Sequence, residues 1–142
     1  MKRRRRRAVL TAAQARLLAR ERVSRVATAG AGGMPHVVPV CHVVAGGRLY
    51  FASGDDGQKV VNLRANPRVC LVVDVYTEDW SRLAGVMVQG RARLVEGGAA
   101  FRRLRARLYA KYPQYAREAA LAPSDSVIVE LVPTRVFAWG VK

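Results

Sequence analysis

From residue 23 to residue 141 the chain is divided into short apolar or alternating runs, most of them closed by glycine or proline, and this punctuation constrains the fold more than any other feature. A parallel sheet needs a crossover of a dozen or more residues, usually a helix, between neighbouring strands. Too few such stretches occur here. Residues 23–29 alternate like a strand, and Gly30, Gly32 and Gly33 supply the positive backbone dihedrals of a tight hairpin. A second strand is expected over residues 35–45. Gly46 and Gly47 turn the chain into a third over 48–53, which makes an antiparallel meander. Residues 68–76 are nearly all apolar and read as a buried strand, and residues 83–96 form a longer one broken at Gly90, the mark of a bulge or a close backbone approach. Two last strands, 126–132 and 135–141, flank Pro133.

Helices are few and peripheral. Thr11-Ala12-Ala13-Gln14 has the form of a capping box, so a short helix begins there, with Ala13, Leu17 and Leu18 on its inward side. Asp55-Asp56-Gly57 offers cap chemistry for a second helix over 58–65, which Asn66-Pro67 closes because the residue before proline resists helical geometry. Phe101, Leu104, Leu108 and Tyr112 recur at helical spacing among arginines, predicting an amphipathic helix over 99–112 that Pro113 stops; a short helical piece follows over 115–121. Six or seven strands with two or three such helices predict a mainly β domain, a small antiparallel barrel. Its 142 residues, 51% of them hydrophobic, suffice for one core, with no linker or internal repeat. The expected organisation is a basic tail over 1–10 and a single domain over 11–142.

Lys and Arg number 25 against 10 Asp and Glu, a formal net charge of +15. Such a balance favours anionic partners, but residues 2–7 are all Lys or Arg and exaggerate the character of the domain. Cys41 and Cys70 lie in apolar runs without zinc-type or disulfide spacing, which suits a reducing cytoplasm. The basic start is not followed by the apolar stretch of a secretory or twin-arginine signal, and no run reaches the length of a membrane span.

His36, Cys41 and His42 sit close together in the second expected strand. Alternation puts the histidines on one face and the cysteine on the other, so the three cannot converge on a metal from this strand alone. Pro39 leaves a ladder position without a donor, which suits an edge, a bulge or a surface where a ligand packs. Lys59 and Asn62, three apart, share a face of the second helix, opposite Val60, Val61 and Leu63. Two readings stand for this helix: a phosphate seat at its start, or a capped surface helix with solvated cations. No glycine-rich nucleotide loop, nucleophile arrangement or paired acids in an apolar setting occurs. If the chain is an enzyme, a bound cofactor supplies the reactivity, and the protein supplies placement and electrostatics.

Taken in order, Pro35-His36-Val37-Val38-Pro39-Val40 after a glycine turn, and Lys59-Val60-Val61-Asn62-Leu63-Arg64-Ala65-Asn66-Pro67-Arg68-Val69 running into an apolar strand, resemble the pyridoxamine-phosphate-oxidase-like split-barrel superfamily. Glu78-Asp79-Trp80-Ser81-Arg82, the following strand with Gly90, and Lys111-Tyr112-Pro113-Gln114-Tyr115 narrow the resemblance to its deazaflavin-dependent branch, the enzymes that use coenzyme F420. The match covers residues 11–141, and its specificity lies in the ordered combination of motifs.

This resemblance implies a six-stranded antiparallel split β-barrel of Greek-key, FMN-binding type, which forms a homodimer with a flavin-like cofactor in a groove between subunits. In that family the strand matching Val38, Pro39 and Val40 lies against the ring system. Lys59 and Asn62 match positions near the cofactor phosphate, and Trp80 and Arg82 match a loop that reaches the partner subunit's cofactor. Trp139 is a further candidate, or equally a buried aromatic of the last strand. The arginine and substrate-lysine patterns of pyridoxamine phosphate oxidases are not reproduced by Arg48-Leu49-Tyr50-Phe51-Ala52-Ser53-Gly54, which argues against vitamin B6 as substrate. The implied activity is hydride transfer from reduced coenzyme F420 to an electrophilic small molecule, and no proton donor can be named. FMN is the alternative cofactor. Two other classes remain open: a protein that holds a cofactor without turnover, and a binder of nucleic acid or another polyanion, for which no zinc finger or RNA-recognition signature is present.

Overall fold

The computed structural model describes residues 7–142. Most of the expected basic tail, residues 1–6, lies outside the described residues. Its remainder belongs to the domain: the Ala8 amide donates to the Pro133 carbonyl at 3.1 Å, and Leu10 packs against the core.

Seven strands form one sheet: β1 (Ser24–Ala29), β2 (Pro35–Val40), β3 (His42–Ala45), β4 (Arg48–Gly54), β5 (Arg68–Val75), β6 (Ala84–Val95) and β7 (Ser126–Trp139). The helices are α1 (Ala12–Arg20), α2 (Gln58–Ala65), α3 (Gly98–Lys111) and α4 (Tyr115–Glu118), with a 3-10 turn over Trp80–Arg82. The strand order is β2-β1-β5-β6-β7-β4-β3, and every neighbouring pair is antiparallel. Strands β5, β6 and β7 run side by side in sequence and β4 lies beside β7, which is a Greek key.

The expected second strand is broken. Cys41 alone separates β2 from β3, yet these occupy opposite edges of the sheet. Successive Cα atoms lie only about 3.8 Å apart, so the two edges must meet at Cys41 and the sheet curls on itself. The anticipated meander is absent, since β2 pairs only with β1 and β3 only with β4. With β2 and β3 counted as one bent strand, six strands make the split barrel. At the other end of the chain the two expected strands merge into β7, which runs through Pro133. A register shift between Gln89 and Gly90, opposite Pro133, absorbs the missing donor. The helical piece after Pro113 stops at Glu118, short of residue 121.

Two apolar cores result. The barrel interior holds Val26, Phe51, Leu71, Val88 and Leu131, and Leu17 and Leu18 of α1 and Leu63 of α2 pack against it. The second core lies outside the sheet, where Phe101, Leu104 and Leu108 of α3 meet Val43, Tyr50 and Ile128. The capping box of α1 forms as expected: the Gln14 amide donates to Thr11 Oγ1, and the Thr11 amide donates to Gln14 Oε1.

The bend at Cys41 is held from α3. The Lys111 ammonium donates to the carbonyls of Glu21 (2.8 Å) and His42 (2.9 Å). The Tyr112 hydroxyl donates to the Arg22 carbonyl at 2.8 Å and accepts the His42 amide at 3.0 Å. Buried His42 donates from Nε2 to the Leu18 carbonyl. Part of the Lys111-Tyr112-Pro113-Gln114-Tyr115 motif therefore has a structural role in fixing the corner where the barrel closes.

Candidate functional site

Helix α3 covers only one half of the sheet's outer surface. On the other half, paired rows run across β2, β1, β5, β6 and β7: Val37, Ala27, Cys70, Gln89 and Arg135 in one, and Pro39, Arg25, Val72, Met87 and Phe137 in the next. Their alternation partners point into the barrel. This open face is largely apolar, with Val37 64% and Phe137 56% exposed.

Small side chains leave a concavity in this face. A groove of about 460 Å³ has Ala27, Ala29 and Cys70 among its lining, with Pro35, Arg68 and Gln89 beside them. A second cavity of about 370 Å³ lies between the β1–β2 hairpin and α2, lined by Gly30, Gly32, His36, Gln58, Val61 and Asn62 among others. Pro35 borders both, so the two are neighbours around one ridge. Neither is lined by a carboxylate, whereas the groove near α4 has Asp56 and Asp125 in its wall. Among the described residues no group of three His, Cys, Asp or Glu side chains is placed to hold a metal.

Within the second cavity the polar groups form a chain. Asn62 Nδ2 donates to Thr28 Oγ1 at 3.0 Å, and Gln58 Nε2 donates to Asn62 Oδ1 at 2.8 Å. Gly30 is required at this contact, because a Cβ there would lie 2.7 Å from Asn62 Oδ1. His36 stands beside Thr28 in the strand register, and its Nδ1 is buried without a hydrogen-bond partner among the described residues. An orphaned polar atom in a cavity wall is a place where a ligand atom can bind.

The sequence-derived candidates fare unequally. Asn62 faces the cavity but is buried and committed to Thr28, and Val61, expected inward, is 52% exposed. The helix carrying them is capped by Gly57 with no side-chain bond, so Asp55 and Asp56 do not supply the expected cap. Lys59 is half-buried, makes no hydrogen bond or ion pair among the described residues, and has its pKa lowered by that burial. It lines neither cavity. Val38 and Val40 pack inward on the core, whereas Pro39 is exposed on the open face, so the three do not present one side-chain surface. What β2 offers as a unit is its free backbone edge, since it pairs with β1 alone. Trp80, 73% exposed, and Arg82 stand on the 3-10 turn between β5 and β6, at the end of the sheet away from Pro35. Trp139 is not buried: its ring lies against Gly85 near that same end, where a Cβ would sit 2.1 Å from the indole.

Sequence reasoning passed over His36 as an isolated strand histidine and gave Gln58 and Arg68 no role. Their position beside a glycine hairpin and after Asn66-Pro67 was visible, but only the fold shows that each borders a cavity. Arg68 is oriented by Asn66, whose Oδ1 accepts its Nε and its amide.

Comparison with known proteins agrees with this architecture. A conserved hypothetical protein, Rv2991, from Mycobacterium tuberculosis matches at 26% identity with a TM-score of 0.78, over 98% of this chain and 89% of that one. A FAD-binding protein from Mesorhizobium loti matches at 26% identity and TM-score 0.72, over 91% and 94%. An F420 reductase shares the fold at 23% identity and TM-score 0.72, over 90% and 98%. The fold also occurs in a heme binding protein from Mycobacterium smegmatis, of which this chain covers 56%. No functionally curated protein matches the sequence. The pattern of the pyridoxamine 5'-phosphate oxidase family matches residues 10–140, and together with the curled antiparallel sheet this establishes that the chain belongs to that family.

Proposed function

We propose that the protein is an oxidoreductase that binds reduced coenzyme F420 in the paired cavities around Pro35 and promotes hydride transfer to an electrophilic small molecule. The observation that carries the reading is that this two-part site, in a chain of this family, has no carboxylate among its described lining residues and that partly desolvated Lys59, on the helix that walls the second cavity, makes no ion pair among the described residues. A phosphorylated cofactor is the ligand that such a surface favours. When bound, the reduced deazaflavin supplies the hydride.

The chain's own residues bind and orient. Lys59 would offset phosphate charge, which restores the protonated form that burial disfavours. Gln58 and Asn62 are pre-positioned by their mutual bond, and His36 Nδ1 offers a polar contact from the wall. The free edge of β2 gives a backbone hydrogen-bonding rim for a planar ring. The open apolar face, with Val37, Val72, Met87, Phe137 and Trp139, is the surface through which two copies would pair, so that Trp80 and Arg82 of one approach the cofactor of the other. The described residues contain no helix long and apolar enough to cross a membrane.

The test is titration of the apo protein with F420, FMN and FAD, followed by fluorescence and melting temperature. Preferential F420 binding at micromolar concentration or below, with a ligand-dependent rise in melting temperature, is expected. Preference for FMN or FAD would replace the deazaflavin by a flavin, and binding of none would overturn the reading. Lys59→Met should weaken the phosphorylated cofactor by about tenfold, roughly 1.4 kcal/mol, without lowering the melting temperature of the apo protein.

A further inference from the structure

Helices α1 and α3 both pack on β3, and the three elements leave a cleft of about 350 Å³ between them. Its lining is Ala19 of α1, Val43 and Val44 of β3, and Arg107, Ala110 and Lys111 of α3, none of which borders the paired cavities around Pro35. Four of these side chains are small or aliphatic, and both charged ones are cations. Arg107 is exposed and makes no ion pair among the described residues. Arg103, one turn before it on α3, and Arg16, one turn before Ala19 on α1, make none either.

Lys111 gives the more specific signal. An ammonium has three N–H donors, and two are used on the Glu21 and His42 carbonyls. Its Nζ also stands 3.5 Å from His42 Nε2, but that nitrogen donates to the Leu18 carbonyl and cannot accept. The Tyr112 ring, 5.3 Å away, offers only its π face. One donor of a half-buried ammonium in the cleft wall is thus left without an oxygen or nitrogen acceptor among the described residues.

We propose that this cleft binds a small organic carboxylate with an apolar body, such as a medium-chain fatty acid, its carboxylate on Lys111 and Arg107 and its chain over Ala19, Val44 and Ala110. The volume lies at the lower end of the range for small-molecule pockets, about 300–1,000 Å³. Inorganic phosphate would leave the apolar wall uncovered, and a neutral hydrocarbon would leave two cations without a counter-charge. Because the same ammonium grips the corner between β2 and β3, an occupant braces the point where the barrel closes. The site is independent of the F420 reading.

Binding is linked to a proton. Burial first, and then Arg22, lowers the Lys111 pKa to about 8, while Cys41 and Glu21 oppose the shift. His42 and Tyr112, which also face it, are uncharged near neutrality, the first with its pKa lowered to about 4 and the second with its pKa raised, both chiefly by burial. A carboxylate favours the charged ammonium, so affinity is full below about pH 8 and falls as pH rises past it.

The experiment is calorimetric titration of the full-length protein with octanoate, octanamide and inorganic phosphate at pH 7, and with octanoate again at pH 9.5, with melting temperature followed in parallel. Octanoate is expected to bind and to raise the melting temperature. Octanamide and phosphate should each bind about tenfold more weakly or worse, and octanoate should weaken at pH 9.5. Ala110→Leu, which fills the cleft from an exposed position, should weaken octanoate roughly tenfold, and Arg107→Gln roughly threefold, the scale of an exposed ion pair. Arg102→Gln, elsewhere on α3, should leave it unchanged. Lys111→Met also releases the corner, so the test rests on the two variants that leave those hydrogen bonds in place. Octanamide or phosphate binding as tightly as octanoate, unchanged affinity in both cleft variants, or displacement of octanoate by F420 overturns the proposal. So does a DNA duplex that binds through Arg107 while octanoate does not, which would make this face a polyanion surface. Octanoate binding of the expected pattern in a protein with no affinity for F420 keeps the cleft and sinks only the cofactor reading.

Discussion

At residue scale, His42 shows how a buried polar group becomes a pH sensor of stability. Its ring is fully buried and donates to the Leu18 carbonyl, and desolvation is the main cause that lowers its pKa from 6.5 to about 4. Between those values the unfolded chain holds a proton that the folded chain does not, so stability is complete above about pH 6.5 and falls as pH drops toward 4. The loss should approach about 3 kcal/mol, read from denaturant midpoints at pH 7 and pH 4.5, and His42→Asn should flatten the dependence. Asn62 illustrates a second residue-scale effect. Asn62→Ala leaves Thr28 Oγ1 and Gln58 Nε2 without their partner, and a cost of about 1–3 kcal/mol is expected in chemical denaturation. Neither role was legible in the sequence. The histidine drew notice only for its nearness to His36 and Cys41, which alternation keeps from converging on a metal, and the asparagine as a match to positions near a cofactor phosphate, but burial and partner geometry come from α1, β1 and α2 meeting in space.

At the scale of elements, glycine and proline explain most of what was readable. The break at Gly90 was expected from sequence alone, and the structure supplies its cause: a register shift opposite Pro133, with the β7 backbone pressed against the glycine. A Cβ there would lie 2.2 Å from the Val132 carbonyl oxygen. Gly90→Ala should therefore cost about 2 kcal/mol or more, seen as a fall in melting temperature on the order of 5 °C or more. The bend between β2 and β3 was missed because residues 35–45 carry an unbroken strand-like pattern. What divides them is the grip of Lys111 and Tyr112 on Glu21, Arg22 and His42, a contact spanning about half the sequence. Burial also lowers the Lys111 pKa to about 8, the electrostatic cost of bringing its ammonium into that corner.

At the scale of the molecule, one half of the sheet's outer face is covered by α3 and the other half is left open. If two copies pair through the open half, Phe137→Glu places a charge among Val72, Met87 and Trp139 and should shift the protein from dimer to folded monomer in sedimentation. A monomer with native circular dichroism and weakened cofactor affinity is the expected outcome. A variant that remains dimeric would move the interface elsewhere. The positive charge is likewise a property of placement. Its magnitude is plain in the composition, but the cations are not equivalent: Arg48 serves Glu130 in a partly buried pair, whereas Arg68, Arg91 and Arg135 make no ion pair among the described residues.

The sequence by itself determined the alternation, the turns, the capping box and the ordered motifs, because periodicity and backbone freedom are local properties that need no partner to be expressed. From these the antiparallel barrel and its family followed. Only the tertiary structure decided that β2 and β3 sit at opposite edges joined by one residue, that Asn62 is spent on Thr28 while Lys59 makes no ion pair among the described residues, and that two cavities with no carboxylate among their described lining residues adjoin at Pro35. These depend on segments far apart in the chain, and their energies arise from burial and registration that appear only when the sheet curls and its edges meet.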